Sequence, residues 1–268
     1  MKIMIFNWRD IRHSQAGGSE YYLHNQARFW IDEGNSVSWI CASIDGYPSE
    51  EKIDGINVYR TGGRLSLYPR ARSKYRELEK PDVIIDVENG IPFFTPFYSN
   101  VPCILLIHHI HRAVWSVEMP FPASCVGRFL ETVLMPAVYR KHRIVTVSQS
   151  SESEVKKLFP GNRIDIVHNG VSPICRAGEQ KKSDKPEAVF VGRLKKYKRI
   201  DVILHAIREL GSNDLSLNII GQGDDEERLK KICEQFKLPN VHFLGHIPDD
   251  RKVETIQRAW FAINPSMI

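Results

Sequence analysis

The chain has no long apolar run: its most hydrophobic stretch, Val101 to Ile107, falls far short of the roughly 20 residues a membrane-spanning helix needs. The N-terminal Lys2-Ile3-Met4-Ile5-Phe6 turns polar too soon for a signal peptide and reads as a strand that begins at once. The five cysteines, Cys41, Cys103, Cys125, Cys175 and Cys233, contain no pair at metal-ligand or C-x-x-C spacing. Their odd number points to a reduced, cytoplasmic protein without structural zinc. No basic run is interleaved with aromatics, and the formal net charge of +5 is too mild to imply nucleic acid. That charge suits an anionic ligand or an acidic membrane surface. The three spaced glycines of the dinucleotide fingerprint are also missing. What remains is a globular composition, 42% hydrophobic and 26% charged over 268 residues, enough for one large domain or two ordinary ones.

Short apolar runs alternate with longer amphipathic stretches. Strands are expected at 3–6, 36–42, 56–60, 82–86, 103–107, 143–147 and 164–168. Helices are expected at 19–33 (with Tyr22, Ala27, Phe29 and Trp30 facing inward), 70–79, 126–141 (kinked or interrupted at Pro136) and 150–158. The polar stretch Arg176 to Lys185 reads as a linker. The alternation then restarts, with strands at 188–191, 215–220, 241–244 and 260–264 and helices at 200–210, 224–236 and 249–258. This pattern predicts an α/β protein of two Rossmann-like domains, with parallel sheets covered by helices on both faces. Their bounds are 1–172 and 187–268, joined by a linker over 173–186, and ligands are expected at strand carboxyl ends in the cleft that the domains face. The second block has only about 80 residues, below the usual domain size.

The most informative stretch is Gly192-Arg193-Leu194-Lys195-Lys196-Tyr197-Lys198-Arg199, set between an apolar strand and an amphipathic helix. A helix start offers free N–H groups and partial positive charge, so a phosphate is the expected occupant of so basic a turn. Near the N-terminus, Ala16-Gly17-Gly18-Ser19-Glu20 also opens a helix. The glycine pair permits positive φ and close approach of a ligand, and Ser19 is the expected cap. Three histidines, His108, His109 and His111, follow an apolar strand. His109 and His111 would share a face, but no carboxylate or cysteine completes a ligand set in the sequence, and no metal is expected.

Taken together, several segments resemble the retaining family-4 glycosyltransferases of GT-B architecture. They are Gly17-Gly18-Ser19-Glu20, Leu105-Leu106-Ile107-His108-His109, Val145-Thr146-Val147-Ser148 and Val167-His168-Asn169-Gly170-Val171 in the first block. The second adds Phe190-Val191-Gly192-Arg193 with Lys198, Ile219-Ile220-Gly221-Gln222-Gly223, Val241-His242-Phe243-Leu244-Gly245 and Asn264-Pro265-Ser266. Their order covers the whole chain. The resemblance implies transfer of a hexose from a nucleotide-diphospho-sugar with retention and without a metal or other cofactor. It casts Arg193 and Lys198 as the grip on the departing diphosphate, where protein cations replace a divalent ion. Gly17 and Gly18 would approach the same phosphates, and Gly221, Gly223, Gly245 and Ile247 would border base and phosphates. His108 would hydrogen-bond the transferred sugar, with Glu20, His109 and His111 on the acceptor side. Arg199 stands where the family usually has glycine, and Lys195 and Lys196 read as solvated.

The same resemblance leads one to expect, after Ser266, a glutamate, seven residues and a second glutamate, and neither glutamate occurs in this sequence. The expectation is therefore a second domain incomplete at its C-terminus, with self-association through Trp260, Phe261 and Ile263. The alternative function is a non-catalytic nucleotide-sugar or phosphate-binding module. The acceptor would be a saccharide or a lipid-linked sugar. The segment His111 to Lys141 pairs apolar Trp115, Met119, Phe121, Phe129, Leu130, Val133, Leu134 and Met135 with Arg112, Arg128, Arg140 and Lys141. A buried core stripe is the favoured reading of it, and peripheral contact with a membrane is the other.

Overall fold

A computed structural model describes all residues except 64–65, 113, 171–180, 212–213 and 267–268, and the side chain of Glu118. Cys175, Val171 and most of the expected linker therefore lie outside the described residues. The chain divides into two compact units, Met1–Gly170 and Val171–Ile268.

The first unit holds β1 (Lys2–Phe6), α1 (Gly18–Asp32), β2 (Ser36–Cys41), β3 (Glu50–Ile53), β4 (Ile56–Arg60), α2 (Leu67–Glu77), β5 (Val83–Glu88) and β6 (Cys103–Ile107). There follow α3 (Trp115–Glu118), α4 (Ala123–Phe129), a π-helical turn (Leu130–Leu134), α5 (Met135–Tyr139), β7 (Arg143–Thr146), α6 (Gln149–Leu158) and β8 (Ile164–Ile166). The eight strands form one sheet in the order β3-β4-β2-β1-β5-β6-β7-β8. The chain starts at the middle of the sheet, winds to one edge and returns to wind to the other, so β1 and β5 are neighbours at the reversal point. Ligands in such sheets bind outside the carboxyl ends of the strands beside that point.

The sheet is not wholly parallel. β3 pairs antiparallel with β4, Ile53 opposite Ile56, through a two-residue turn in which Asp54 and Gly55 have φ of 47° and 86°. An Asp-Gly pair suits such a turn because both residues take positive φ there. Alternate strand residues fill two cores, one on each face. Phe6, Ile40, Ile84, Leu105, Ile107 and Ile144 line one, and Ile5, Trp39, Val58, Val87 and Leu106 line the other. α1 buries Tyr22, Leu23 and Ala27 on the second face, whereas Phe29, expected inside, is 59% exposed.

The helical region after β6 departs most from expectation. Pro136 lacks the N–H an α-helix needs, and the helix widens just before it. The Met135 N–H reaches back to the Leu130 carbonyl, five residues away, instead of four. Ser124, Gly127, Glu131, Met135 and Tyr139 face inward. Phe121, Val126, Phe129 and Val133 are 83%, 55%, 55% and 53% exposed, so the stretch is not a core stripe throughout. Arg112, Arg128, Arg140 and Lys141 of the same segment are exposed too.

The second unit holds β9 (Glu187–Val191), a 3-10 turn (Lys196–Lys198), α7 (Ile200–Leu210), β10 (Ser216–Ile220), α8 (Glu226–Phe236), β11 (Val241–Gly245), α9 (Asp249–Arg258) and β12 (Phe261–Ala262). Its four strands are parallel in the order β11-β10-β9-β12, again with the first strand inside the sheet. α7 lays Ile200, Ile203, Leu204 and Ile207 on Ala188, Phe190, Leu217 and Ile219. Each such side chain contributes about 1.5–3 kcal/mol over an exposed position. Of the expected linker, Lys182 and Ser183 are tied to this unit. Lys182 Nζ donates to the Ala259 carbonyl, Ser183 N to the Arg258 carbonyl, and Trp260 Nε1 to the Ser183 carbonyl.

Candidate active site

In the second unit the basic turn leaves β9 at its carboxyl end, and the fold sorts its cations. Lys195 Nζ is 2.6 Å from Asp224 Oδ2 and only 19% exposed, so it is not a solvated side chain. Arg199, at a left-handed φ of 52°, lies 3.5 Å from Asp201. Arg193 and Lys198 have no carboxylate partner among the described residues. Arg193 Nη2 donates to the Tyr197 hydroxyl at 3.3 Å, and the Lys198 ammonium stands 5.2 Å from the centre of the Tyr197 ring. Burial, and then the charge of Arg193, holds the Lys198 pKa below its ordinary value. Two cations kept together without an acidic neighbour form a ready receptor for an anion.

Three glycines predicted to border a ligand have packing reasons of their own. The loop after β10 lies against the basic turn, with Gly192 N donating to the Ile220 carbonyl, Leu194 N to the Gln222 carbonyl and Asp225 N to the Leu194 carbonyl. A methyl group on Gly221 would sit 2.0 Å from the Gly192 oxygen, and one on Gly223 2.1 Å from the Leu194 oxygen. Gly221 N donates in turn to the carbonyl of Gly245, which has φ of 68°. Ile247 packs its side chain against Val189, Ile220 and Ala259.

In the first unit Gly17, Gly18 and Glu20 open α1 after the loop that leaves β1, and His108, His109 and His111 follow β6. Asn89 Nδ2, after β5, donates to Asn7 Oδ1, after β1, at 2.6 Å. Gly17, not Ser19, is the N-cap of α1. Gly17 and Gly18 keep extended or helical backbone and use no positive φ. Glu20 is buried and turns back to accept Gly17 N at 2.8 Å and Ser19 Oγ at 3.0 Å, which closes half of a capping box. No Cβ clash calls for glycine at these two positions: the nearest atom would be 3.8 Å away at Gly17, and none lies within 4 Å at Gly18.

His108 follows β6. Its carbonyl accepts Ser151 Oγ at 2.8 Å and its ring meets Tyr22 edge-on at 5.3 Å. Nε2 of His108 is buried without a hydrogen-bond partner. Burial, followed by the nearby His111, pushes its pKa down to about 4, so the ring is neutral near pH 7. The His109 and His111 rings do come together, 4.2 Å between centroids. Around His111 the fold supplies the carboxylates that the sequence lacks nearby: Glu88 at the end of β5 and Glu131 in the π turn, both fully buried. Glu131 accepts the His111 backbone N–H and, at 3.0 Å, the Trp115 indole N–H. Burial, then the facing Glu88, pushes its pKa up to about 7. Nothing in the spacing of Glu88 and Glu131 marks them as partners, since they lie on different elements of the sheet layer and the helical layer.

No helix among the described residues is long and apolar enough to cross a membrane. Residues 16–173 match the family model described as Glycosyltransferase Family 4, and residues 172–268 match that described as Glycosyl transferases group 1. An uncharacterized glycosyltransferase of Haemophilus influenzae is 26% identical over 247 residues, covering 87% of this chain and 67% of that protein. Sucrose-phosphate synthase of Thermosynechococcus elongatus shares the fold at a TM-score of 0.80 and 14% identity, covering 99% of this chain and 75% of that one. HepE of Anabaena, solved with UDP-glucose, aligns at 0.68 and 15% identity, covering 100% and 74%. Matched by two models that together run from residue 16 to its last residue, the chain belongs to the GT-B glycosyltransferases.

Proposed function

We propose that the chain transfers a hexose from a nucleotide-diphospho-sugar to a saccharide or lipid-linked acceptor, with retention and with no metal on the diphosphate. The observation that carries this reading is the pair Arg193 and Lys198, two neighbouring cations at a strand's carboxyl end with no carboxylate among the described residues to neutralise them. A leaving nucleoside diphosphate gains negative charge as the glycosidic bond breaks. Arg193 offers paired N–H donors to phosphate oxygens, and Lys198 offers a point charge already partly stripped of water. Such groups need little reorganisation when the charge develops.

In the first unit, Nε2 of His108 suits a sugar hydroxyl, because a neutral imidazole can donate or accept there without carrying charge. The uncrowded Gly17-Gly18 backbone leaves room for a phosphate or sugar at the start of α1. That HepE of Anabaena was solved with UDP-glucose supports a nucleotide-sugar as the class of donor. The exposed Phe121, Val126, Phe129 and Val133, in a segment that also exposes Arg112, Arg128, Arg140 and Lys141, support a lipid-linked acceptor met at an anionic membrane surface.

The test is a thermal-shift screen against UDP-, GDP- and ADP-sugars, followed by radiolabelled transfer with the responding donor. NMR of the product then reads the anomeric configuration. An inverted product, or binding that depends on added divalent ions, would refute the corresponding part of the proposal.

A further inference from the structure

Glu88 and Glu131 have no role in the transfer proposed above, and His111, expected on the acceptor side, turns its ring to them. One ligand-type atom of each lies within 4.8 Å of the others. His111 Nδ1 is 3.2 Å from Glu88 Oε1 and 3.9 Å from Glu131 Oε1. Glu131 is held by two N–H donors, but fully buried Glu88 accepts no hydrogen bond from the described residues on either oxygen and faces a second carboxylate. A buried carboxylate left without a donor is costly, and one facing another carboxylate is more so. A cation between them removes both penalties.

We propose that Glu88, Glu131 and His111 bind a divalent transition-metal ion, Zn²⁺ or Mn²⁺, through one carboxylate oxygen each and the imidazole Nδ1. One nitrogen and two carboxylate oxygens suit such an ion, whereas Mg²⁺ and Ca²⁺ prefer oxygen alone. The indole N–H of Trp115 and the backbone N–H of His111 supply the outer bonds that fix a ligating carboxylate. The π turn that carries Glu131 is a helix irregularity often found at functional positions. The His111 side chain is 20% exposed, which gives the ion a way in. Bound there, the ion ties β5, the loop after β6 and the π turn together beside His108. It is a separate matter from the diphosphate, which rests on Arg193 and Lys198.

The chain is stripped with a chelator, dialysed and titrated calorimetrically with ZnCl₂ or MnCl₂ alone, and the retained metal is counted after desalting. The expected result is one ion per chain, a Tm that rises with ion concentration, and binding at least tenfold weaker in Glu88→Gln and His111→Ala. His205→Ala, a change in α7, leaves uptake unaltered. The proposal is overturned if neither ion is retained, in which case the carboxylates share a proton instead. It is equally overturned if uptake survives in His111→Ala, which would mark adventitious surface binding. If Glu88→Gln does not fold, His111→Ala decides alone, with its circular dichroism matched to that of the parent.

Discussion

Lys198 lies close enough to Arg193 for the arginine's charge to add to burial in lowering the lysine pKa. The unliganded turn therefore holds a repulsion that a bound anion would relieve. Lys198→Met should leave the Tm of the free chain unchanged or raise it, while nucleotide-sugar affinity falls. Arg193→Ala should cost about 1.5–3 kcal/mol of nucleotide binding, roughly 10- to 150-fold. Calorimetric titration of both variants with a nucleoside diphosphate checks this, and undiminished affinity in Arg193→Ala would remove the assignment.

The loop glycines behave differently. At Gly223 an added methyl would meet the Leu194 carbonyl oxygen at 2.1 Å, so backbone and not a flexible side chain must give way. Gly223→Ala should destabilise the second unit by about 1–3 kcal/mol, as overpacking does. Gly18→Ala, with nothing within 4 Å, should leave stability near that of the parent and act only on ligand binding. Denaturant unfolding separates the two.

His108 gives a pH signature. Its folded pKa of about 4 lies below the ordinary 6.5, so between those values the unfolded chain binds a proton that the folded chain does not. Above pH 6.5 both states are neutral and the residue makes no proton-linked contribution. As pH falls through this window stability is lost, by at most about 3 kcal/mol for this residue. His108→Gln should flatten that part of the stability–pH curve, and an unchanged slope would mean that the ring is protonated in the folded chain.

The outward row on the helical region after β6 predicts lipid binding. Phe129→Ser with Val133→Ser should weaken sedimentation with anionic vesicles, and raised salt should do the same by screening Arg112, Arg128, Arg140 and Lys141. Neutral vesicles should bind less. Equal binding to both vesicle types would argue against this face.

The alternation of apolar runs and amphipathic stretches was enough to place α7, which buries one stripe of Ile200, Ile203, Leu204 and Ile207 at helical spacing, and β6, whose Cys-Ile-Leu-Leu-Ile run is buried almost continuously. β3 was missed because its Glu-Glu-Lys-Ile sequence has no apolar run, although Asp54-Gly55 beside β4 was a usable hairpin signal. Arg193 and Lys198 were legible as cations in a turn, but their lack of acidic partners was not, since Asp224 and Asp201 choose Lys195 and Arg199 only through the folded loop. Glu88 and Glu131 were invisible for the same reason: 43 positions apart, they meet through the sheet and a widened helical turn.

That widened turn has a geometric consequence. One surplus residue in a helix swings everything upstream by about 100° relative to everything downstream. Were Pro136 replaced by alanine and the turn to tighten, Gly127 would rotate out from beneath the Trp115 ring, against which it now packs without space for a single methyl. A proline nine positions away from Gly127 thus sets the angular phase of the helix segment before it.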